Sequence, residues 1–209
     1  MKIKRFILGA YETNCYLLQA DESASECLII DAGQQPWQLL NFLNDHKLQP
    51  RAIVLTHGHA DHIAGLSQLS SGYPGIKVYI GKLDAPMLTD AELNLSAMMA
   101  SPIKAAADIL VEEGDIIDQA GIKLDVLHVP GHTPGSISLY ARKQGIVFTG
   151  DSLFAQSIGR TDLPGGSITE LTEGIKKKLC TLDADTKVYP GHGPVTTIGK
   201  EKSLNQYLQ

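Results

Sequence analysis

An apolar run that passes directly into a group of ionisable residues constrains this chain more than any other segment. Residues 53–56 (Ile-Val-Leu-Thr) have the composition of a buried strand, and His57, His59, Asp61 and His62 follow within six residues. Two histidines separated by one residue can point the same way at a strand end, and the small residues between ligands allow a tight loop. Four possible ligands in so short a segment predict a metal site.

The donor types narrow the choice of metal. Imidazole and carboxylate ligands without thiolate are typical of zinc, iron or manganese, and not of a cysteine-rich structural site. The three cysteines, Cys15, Cys27 and Cys180, are far apart and form no CxxC pair. This spacing argues against a disulfide framework and favours a reducing compartment, so we expect a cytoplasmic protein.

Three further strand-like segments end in a glycine that is followed by a metal-capable side chain: His132, Asp151 and His192. The resulting seven ligands exceed the needs of one tetrahedral ion but suit two ions that share a carboxylate, about 3.5–4 Å apart. Metal coordination lowers the pKa of water from about 15.7 to about 7, which provides a hydroxide at neutral pH. The pattern predicts a hydrolase with two divalent ions, zinc first, with iron or manganese as alternatives.

Short β-branched or aromatic runs, punctuated by glycine or aspartate, predict strands along most of the chain. The predicted strands are 3–8, 15–19, 27–31, 52–56, 77–80, 122–128, 137–141, 146–149 and 186–189. Helices are predicted at 36–46, from about 61 to 71, and at 167–179, the last with Ser167 as N-cap. This order predicts an α/β (α+β) fold in which two sheets pack face to face with helices outside. The length of 209 residues favours a single domain over 1–209, or two closely fused halves.

Residues 88–109 are harder to interpret. Met87, Met98 and Met99, with several alanines, allow two interpretations: the lining of a substrate channel, or a helix pair that covers the core. We favour the helix pair because methionine is a common filler of gaps in protein cores.

Charge and hydropathy limit the partners. The net charge is −5, and no basic stripe is present that would attract a polyphosphate backbone. The apolar patch near the start is too short for a secretory signal, and no apolar run is long enough to span a bilayer. We therefore expect a small-molecule substrate, no nucleic acid, no membrane, and a monomer or small homo-oligomer.

The ligand residues together resemble those of the metallo-β-lactamase superfamily. Its HxHxDH motif is matched by His57, His59, Asp61 and His62, and its remaining ligand positions by His132, Asp151 and His192. The resemblance covers essentially the whole chain and implies a four-layer αββα sandwich. It also implies that His57, His59, His132 and Asp151 bind one metal. Asp61, His62, Asp151 and His192 would bind the other, with Asp151 bridging.

Within the superfamily, the chain is most similar to short bacterial glyoxalase II-like hydrolases. The segments 130–136 (PGHTPGS), 149–151 (TGD) and 159–166 (GRTDLPGG) carry this similarity. It implies hydrolysis of the thioester S-lactoylglutathione, or of a related hydroxyacyl thioester, by a metal-bound hydroxide. Asp61 and Asp151 are the implied catalytic carboxylates, with Asp61 orienting the hydroxide.

This sequence differs from full-length glyoxalase II proteins at the C-terminal end. Full-length glyoxalase II proteins carry a helical domain there, with basic residues for glutathione. Here Lys200 and Lys202 are the only cations after His192. Glutathione recognition by that route is therefore not expected.

The roles of several individual residues allow two interpretations each. Asp31 is either a hydrogen-bond partner of a ligand histidine or the end of a strand in an Asx turn. Arg160 either contacts a substrate carboxylate or, as we favour, forms a salt bridge with Asp162. Tyr140 is either a substrate contact or, as we favour, an ordinary strand tyrosine. His128 is expected to pack or to support a ligand and not to bind metal.

Rival functions follow from the same ligands. A persulfide dioxygenase of similar sequence would bind one iron through His57, His132 and Asp151, leaving positions open for oxygen. A lactonase shares all seven ligands. A secreted β-lactamase is opposed by the absence of an export signal, and RNA processing by the acidic balance. A non-catalytic metal-binding protein would hold metal without turnover.

Overall fold

The computed structural model describes residues 1–209 and shows two six-stranded mixed sheets and a small two-stranded sheet. The first sheet has the order β1-β2-β3-β4-β5-β6, and its strands are β1 (Lys2–Leu8), β2 (Thr13–Gln19), β3 (Glu26–Ile30), β4 (Gln49–Val54), β5 (Lys77–Gly81) and β6 (Ile109–Val111). The second has the order β14-β13-β10-β9-β8-β7, and its strands are β7 (Ile116–Gln119), β8 (Ile122–His128), β9 (Ile137–Ala141), β10 (Ile146–Gly150), β13 (Lys187–Pro190) and β14 (Thr196–Thr197). The hairpin of β11 (Leu153–Phe154) and β12 (Ser157–Ile158) forms the third sheet.

The helices lie on the two outer surfaces of this sandwich. They are α1 (Trp37–Asp45), α2 (Ala60–Ile63), α3 (Leu66–Gly72), α4 (Ile168–Gly174) and α5 (Ile198–Leu204). A π-helical turn, Ile175–Leu179, continues α4, and a 3₁₀ segment, Lys82–Leu88, follows β5. None of these helices has the length and apolar character needed to cross a membrane.

Strand β2 shows why the sequence folds into four layers. Its Cys15 and Leu17 pack in one core cluster with residues of α1 and α3, whereas Tyr16 and Leu18 pack in a second cluster between the two sheets. A strand that is buried on both faces needs a continuous apolar run, and β2 has one. A third cluster joins α4 to the outer face of the second sheet. The predicted αββα sandwich is confirmed.

The strand directions bring the carboxyl ends of five strands, and the turn between β1 and β2, to one edge of the sandwich. Strands β3, β4 and β5 run parallel to one another, so that their carboxyl ends lie side by side. Strands β10 and β13 are also parallel, and their carboxyl ends lead into Asp151 and His192. The turn between β1 and β2 reaches the same edge because β2 runs antiparallel to β3.

The prediction of one helix from residue 61 to 71 is wrong: α2 and α3 are separate. The backbone N–H of Gly65 donates to Ala32 O at 2.8 Å, which takes it out of the helical pattern. A Cβ on Gly65 would lie 2.4 Å from Gly33 O, so that only glycine allows this close approach.

The favoured helix pair in residues 88–109 is also wrong. The chain there consists of turns between the 3₁₀ segment and β6. The fully buried Asn94 holds them, since its Nδ2 donates to Met87 O at 2.8 Å and to Ile103 O at 3.1 Å. The short strands β6, β7, β11, β12 and β14 were not predicted from the sequence.

The predicted N-cap of α4 is confirmed. Ser167 has an extended backbone, and its Oγ accepts a hydrogen bond from Glu170 N at 3.2 Å. This bond satisfies one of the free N–H groups at the start of the helix.

We predict that Ser167→Ala lowers the free energy of unfolding by about 1 kcal/mol, because the substitution removes the cap. Urea unfolding of the apoprotein measures the change. The control is Ser70→Ala, which replaces an exposed serine inside α3 and is expected to leave stability nearly unchanged. Equal stability of the two variants would contradict the capping role.

Candidate metal centre

Three histidines form the first ligand group: His57, His59 and His132. All are buried, and one nitrogen of each lies within 4.8 Å of the others. His59 Nδ1 and His132 Nε2 are 2.9 Å apart. Neutral imidazoles that turn lone pairs towards one point form a site for a cation.

The second ligand group consists of Asp61, His62 and His192. His192 Nε2 lies 3.1 Å from Asp61 Oδ2, and His62 Nε2 lies 3.3 Å from the same oxygen. The two imidazole Nε2 atoms are 3.3 Å apart. This group also presents its donor atoms to a common point.

Asp151 lies between the two ligand groups. Its Oδ1 is 3.3 Å from His62 Nε2, and its Oδ2 is 3.4 Å from His192 Nε2 and 3.7 Å from His132 Nε2. The structure therefore brings all seven sequence-predicted ligands together, with Asp151 in the position that a shared carboxylate requires.

The outer nitrogens of three ligand histidines are held by acceptors outside the ligand set. His132 Nδ1 lies 2.8 Å from Arg160 O, and His192 Nδ1 lies 3.0 Å from Tyr11 O. His62 Nδ1 lies 2.9 Å from Asp31 Oδ2. A proton on Nδ1 makes each of these bonds and leaves the lone pair of Nε2 directed into the centre.

Asp31 links the ends of β3 and β4 behind the ligands. Besides its bond with His62, its carboxylate accepts hydrogen bonds from Thr56 N at 2.8 Å and from Thr56 Oγ1 at 2.9 Å. Thr56 Oγ1 is in turn 3.2 Å from His57 Nδ1. Asp31 thus occupies the position that the sequence analysis proposed for it behind a ligand histidine. Its φ of +60° is a left-handed conformation that aspartate tolerates better than most residues.

Three buried atoms of the ligand residues have no hydrogen-bond partner: His57 Nε2, His59 Nε2 and Asp151 Oδ1. An unpaired polar atom in the interior is costly, and native structures rarely leave one without a partner. A divalent cation would satisfy His57 Nε2 and Asp151 Oδ1, because its usual ligands are imidazole and carboxylate. The residues present therefore fit the metal ions that the sequence implies.

Two imidazoles of the first ligand group, those of His57 and His59, are neutral without metal. Burial lowers the pKa of His57 well below its usual value. Burial and the neighbouring His132 lower the pKa of His59 to about 3. These imidazoles carry free lone pairs at neutral pH. They can therefore bind a metal without first losing a proton.

In the second ligand group, by contrast, the histidines are protonated when no metal is bound. Burial opposes a charge on His192, but hydrogen bonds with Asp151 and Asp61 outweigh it and raise the pKa of His192 to about 10. Burial also opposes a charge on His62, yet the surrounding carboxylates raise its pKa well above the usual value. Without metal, protons on these two histidines balance the carboxylate charges.

A cavity of about 250 Å³ opens over the ligands. Its wall is formed largely by Tyr11, Leu95, Met99, Leu163 and Arg160. Of these, Arg160 and Met99 had a substrate-facing role in the sequence analysis, in each case as the less favoured alternative. Met99 fits the alternative of a channel lining, whereas Met98 is exposed to solvent and Met87 is buried beneath Gly58. Tyr11 and Leu95 lie in turns that have no periodic signal in the sequence.

Arg160 and Tyr140 have different surroundings. Arg160 makes two contacts with Asp162, Nε to Oδ1 and Nη2 to Oδ2, both 2.8 Å long, and it also lines the cavity. Tyr140 packs in the core cluster between the second sheet and α4. The interpretation of Tyr140 as a substrate contact is therefore corrected, because its strand turns this side chain away from the cavity.

Two histidines lie outside the centre. His128 Nε2 is 2.8 Å from Pro134 O, at the loop that precedes β9, and His46 stacks on Phe42 at the end of α1. One contact that the sequence did not reveal is the bond from Thr13 Oγ1 to Asp61 Oδ2, 2.9 Å long. No local pattern signals it, because the two residues meet only in the folded chain.

We predict that metal binding expels protons and that metal affinity falls as the pH decreases. His62 and His192 have raised pKa values, so that they are protonated below the pKa of His192, about 10, and must become neutral to bind. Calorimetric zinc titrations in buffers of different ionisation enthalpy count the protons released. His192→Ala should release fewer, and a wild-type titration without proton release would contradict the prediction.

The family comparison agrees with this geometry. The model described as the metallo-beta-lactamase superfamily matches residues 8–192. The chain is 38% identical to the probable metallo-hydrolase YqgX of Bacillus subtilis, over 100% of this chain and 98% of that protein. It is 33% identical to the hydroxyacylglutathione hydrolase GloC of Haemophilus influenzae, over 100% of this chain and 98% of that protein.

Solved structures have the same fold. The BLEG-1 B3 metallo-beta-lactamase has a TM-score of 0.93 at 38% identity and full coverage of both chains. TTHA1623 in a di-iron-bound form has a TM-score of 0.86 at 36% identity, covering 98% of this chain and 100% of that one. ETHE1 from Myxococcus xanthus has a TM-score of 0.80 at 28% identity, covering 99% of this chain and 84% of that one.

Proposed function

Because the chain belongs to the metallo-β-lactamase superfamily, a family of metallo-hydrolases, we propose that it is a glyoxalase II-like thioesterase. Its proposed substrate is S-lactoylglutathione or a related hydroxyacyl thioester. The observation that carries the proposal is the position of Asp151 between two ligand groups that open into one cavity. The full-length similarity to a hydroxyacylglutathione hydrolase supports the thioester as substrate.

Two bound divalent ions would supply a hydroxide nucleophile and polarise the substrate carbonyl. The contribution of the protein's own residues is to position the reacting groups. Asp61 and Asp151 are the carboxylates that line the cavity, and Thr13 Oγ1 fixes Asp61 through Oδ2. We assign Asp61 the role of orienting the attacking oxygen and Asp151 that of joining the two ligand groups. The departing thiolate needs no acid from the protein, because thiols have a pKa of about 8.5.

We propose zinc as the resident metal, with iron or manganese as alternatives. Five imidazoles and two carboxylates suit all three ions, and the ligand set contains no cysteine that would favour a softer ion. The di-iron form of the similar TTHA1623 structure keeps iron among the candidates.

A second candidate is the persulfide dioxygenase reaction, performed with one iron. The similarity to ETHE1 favours it, and His57, His132 and Asp151 lie together as a single iron would need. The second ligand group counts against it, since Asp61, His62 and His192 form a complete set of donors that one iron would leave unused. A lactonase and a β-lactamase are further members of the same fold class that a substrate panel separates.

The test is a substrate panel on protein reconstituted separately with zinc, iron and manganese. The panel contains S-lactoylglutathione, an uncharged lactoyl thioester, a lactone, a cephalosporin, and glutathione persulfide with oxygen uptake as readout. Thioester cleavage exceeding every other activity supports the proposal. Oxygen uptake without thioester cleavage would establish the dioxygenase instead.

We predict that Asp151→Ala abolishes thioester hydrolysis and lowers the metal content, because it removes the carboxylate shared by the two ligand groups. Activity assays and metal analysis by mass spectrometry measure both effects. Asp185→Ala is the control, since Asp185 is exposed and makes no side-chain hydrogen bond. Full activity in Asp151→Ala would disprove the shared role.

We predict that Arg160→Ala raises KM for S-lactoylglutathione and leaves kcat and metal content unchanged. The side chain lines the cavity, whereas the contact that holds His132 uses the backbone oxygen, which alanine keeps. KM for an uncharged thioester should stay the same. An unchanged KM for S-lactoylglutathione would show that Arg160 serves only to pair with Asp162.

A further inference from the structure

A buried carboxylate outside the ligand set contacts both loops of the first ligand group. Asp84 lies in the 3₁₀ segment after β5, and its side chain is fully buried. It does not reach the cavity above the metal centre. A buried charge is costly unless it is compensated, so its presence so near the centre requires an explanation.

Asp84 accepts three hydrogen bonds, and all three come from the ligand loops. Gly58 N, between His57 and His59, donates to Oδ2 at 3.1 Å. Thr133 Oγ1, next to His132, donates to the same oxygen at 2.7 Å. Gly135 N donates to Oδ1 at 2.6 Å. The carboxylate therefore links the loop after β4 in the first sheet to the loop after β8 in the second.

The two loops approach the 3₁₀ segment so closely that only glycine fits at the contact points. A Cβ on Gly135 would lie 2.3 Å from Asp84 N, and a Cβ on Gly58 would lie 2.6 Å from Met87 Cβ. The donors thus reach Asp84 by direct backbone contact, which leaves little freedom for either loop to shift.

The donors around Asp84 favour the carboxylate form of its side chain. Burial raises the pKa of Asp84 above its usual value, while the bonds from Thr133, Gly135 and Gly58 act in the opposite direction. Backbone N–H groups can only donate, and they approach both oxygens. The arrangement needs two acceptor oxygens, and a carboxylate provides them.

The second ligand group is held by other residues. Asp31 fixes His62, Tyr11 O fixes His192, and Thr13 fixes Asp61. None of these contacts involves Asp84. The supports of the two groups are therefore largely separate.

We propose that Asp84 is a positioning residue that sets the distance between His132 and the pair His57 and His59, and so builds the first metal site selectively. Two of its three contacts, Gly58 and Thr133, lie next to ligand residues, and the third, Gly135, lies in the same loop as His132. Loss of one contact therefore allows the two loops to move apart. This inference concerns metal binding alone and does not depend on which substrate the protein hydrolyses.

The test is zinc binding by Asp84→Asn, measured by competition with a chromogenic chelator. The amide keeps the shape of the side chain but turns an NH₂ group towards an N–H donor, whichever way it lies. Loss of a partner behind metal ligands weakens binding by about 10–100-fold. We expect one of the two zinc ions to bind at least about tenfold more weakly and the other to bind as in the wild type. Wild-type binding of both ions would overturn the proposal.

Two double variants locate the zinc ion that remains. Combining Asp84→Asn with His192→Ala, in the second ligand group, should abolish binding of the remaining zinc ion. Combining Asp84→Asn with His59→Ala, in the first ligand group, should leave that ion bound. The opposite pattern, or equal weakening of both ions in the single variant, would overturn the proposal. Substitution of a residue that merely supports the fold would not weaken one zinc site and leave the other unchanged.

Glu201 offers a matched control. It is also a buried carboxylate with three donors, Thr196 Oγ1 at 2.6 Å, Gln156 N at 2.7 Å and Asn205 Nδ2 at 3.0 Å, and it lies in α5 away from the ligands. Glu201→Gln should lower the melting temperature of the apoprotein without changing zinc binding. If it weakens zinc binding as Asp84→Asn does, the effect is general destabilisation and the proposal fails.

A milder variant covers the case in which Asp84→Asn does not fold. Thr133→Val removes one of the three donors and keeps the shape of the side chain. We expect the same zinc ion to bind several-fold more weakly. Wild-type zinc binding by Thr133→Val would then count against Asp84 as a positioning residue.

Discussion

The structure depends on one electrostatic constraint: five histidines and two aspartates share a small, largely dehydrated volume at the edge of two sheets. Lone pairs and negative charges that face one another repel unless a cation or protons lie among them. In the first ligand group burial keeps His57 and His59 neutral, and in the second the carboxylates keep His62 and His192 protonated. Metal ions would resolve both situations, by using free lone pairs in one group and by replacing protons in the other.

The surrounding fold serves to hold this arrangement. The N-terminal hairpin supports the second ligand group, since Asn14 Nδ2 donates to Pro190 O at 2.9 Å and to Gly193 O at 3.0 Å, on both sides of His192. Asp31 supports the same group from the first sheet, and Asp84 supports the first ligand group from the segment after β5. Each ligand loop is therefore tied to a part of the chain distant in sequence, which explains why a whole αββα sandwich is needed to build a centre of seven side chains.

The sequence predicts the features that local patterns encode. The apolar strand before His57, the glycine turns before His132 and His192, and the Ser167 cap each have a signal within a few residues, and the structure has all of them where predicted. Features set by tertiary contacts have no such signal. Residues 88–109 form turns because buried Asn94 bonds to distant carbonyls, and the role of Asp84 depends on loops from two different sheets. The position of Tyr140 depends on which face of β9 meets α4, and alternation alone does not decide that for a strand buried on both faces.

The central claim is that the seven residues hold two metal ions joined by Asp151. Anomalous diffraction from crystals of the zinc-loaded protein, recorded at the zinc absorption edge, tests it most directly. The account predicts two peaks about 3.5–4 Å apart, one beside each ligand group and both within coordination distance of Asp151. A single peak at saturating zinc, or two peaks of which only one contacts Asp151, would contradict it.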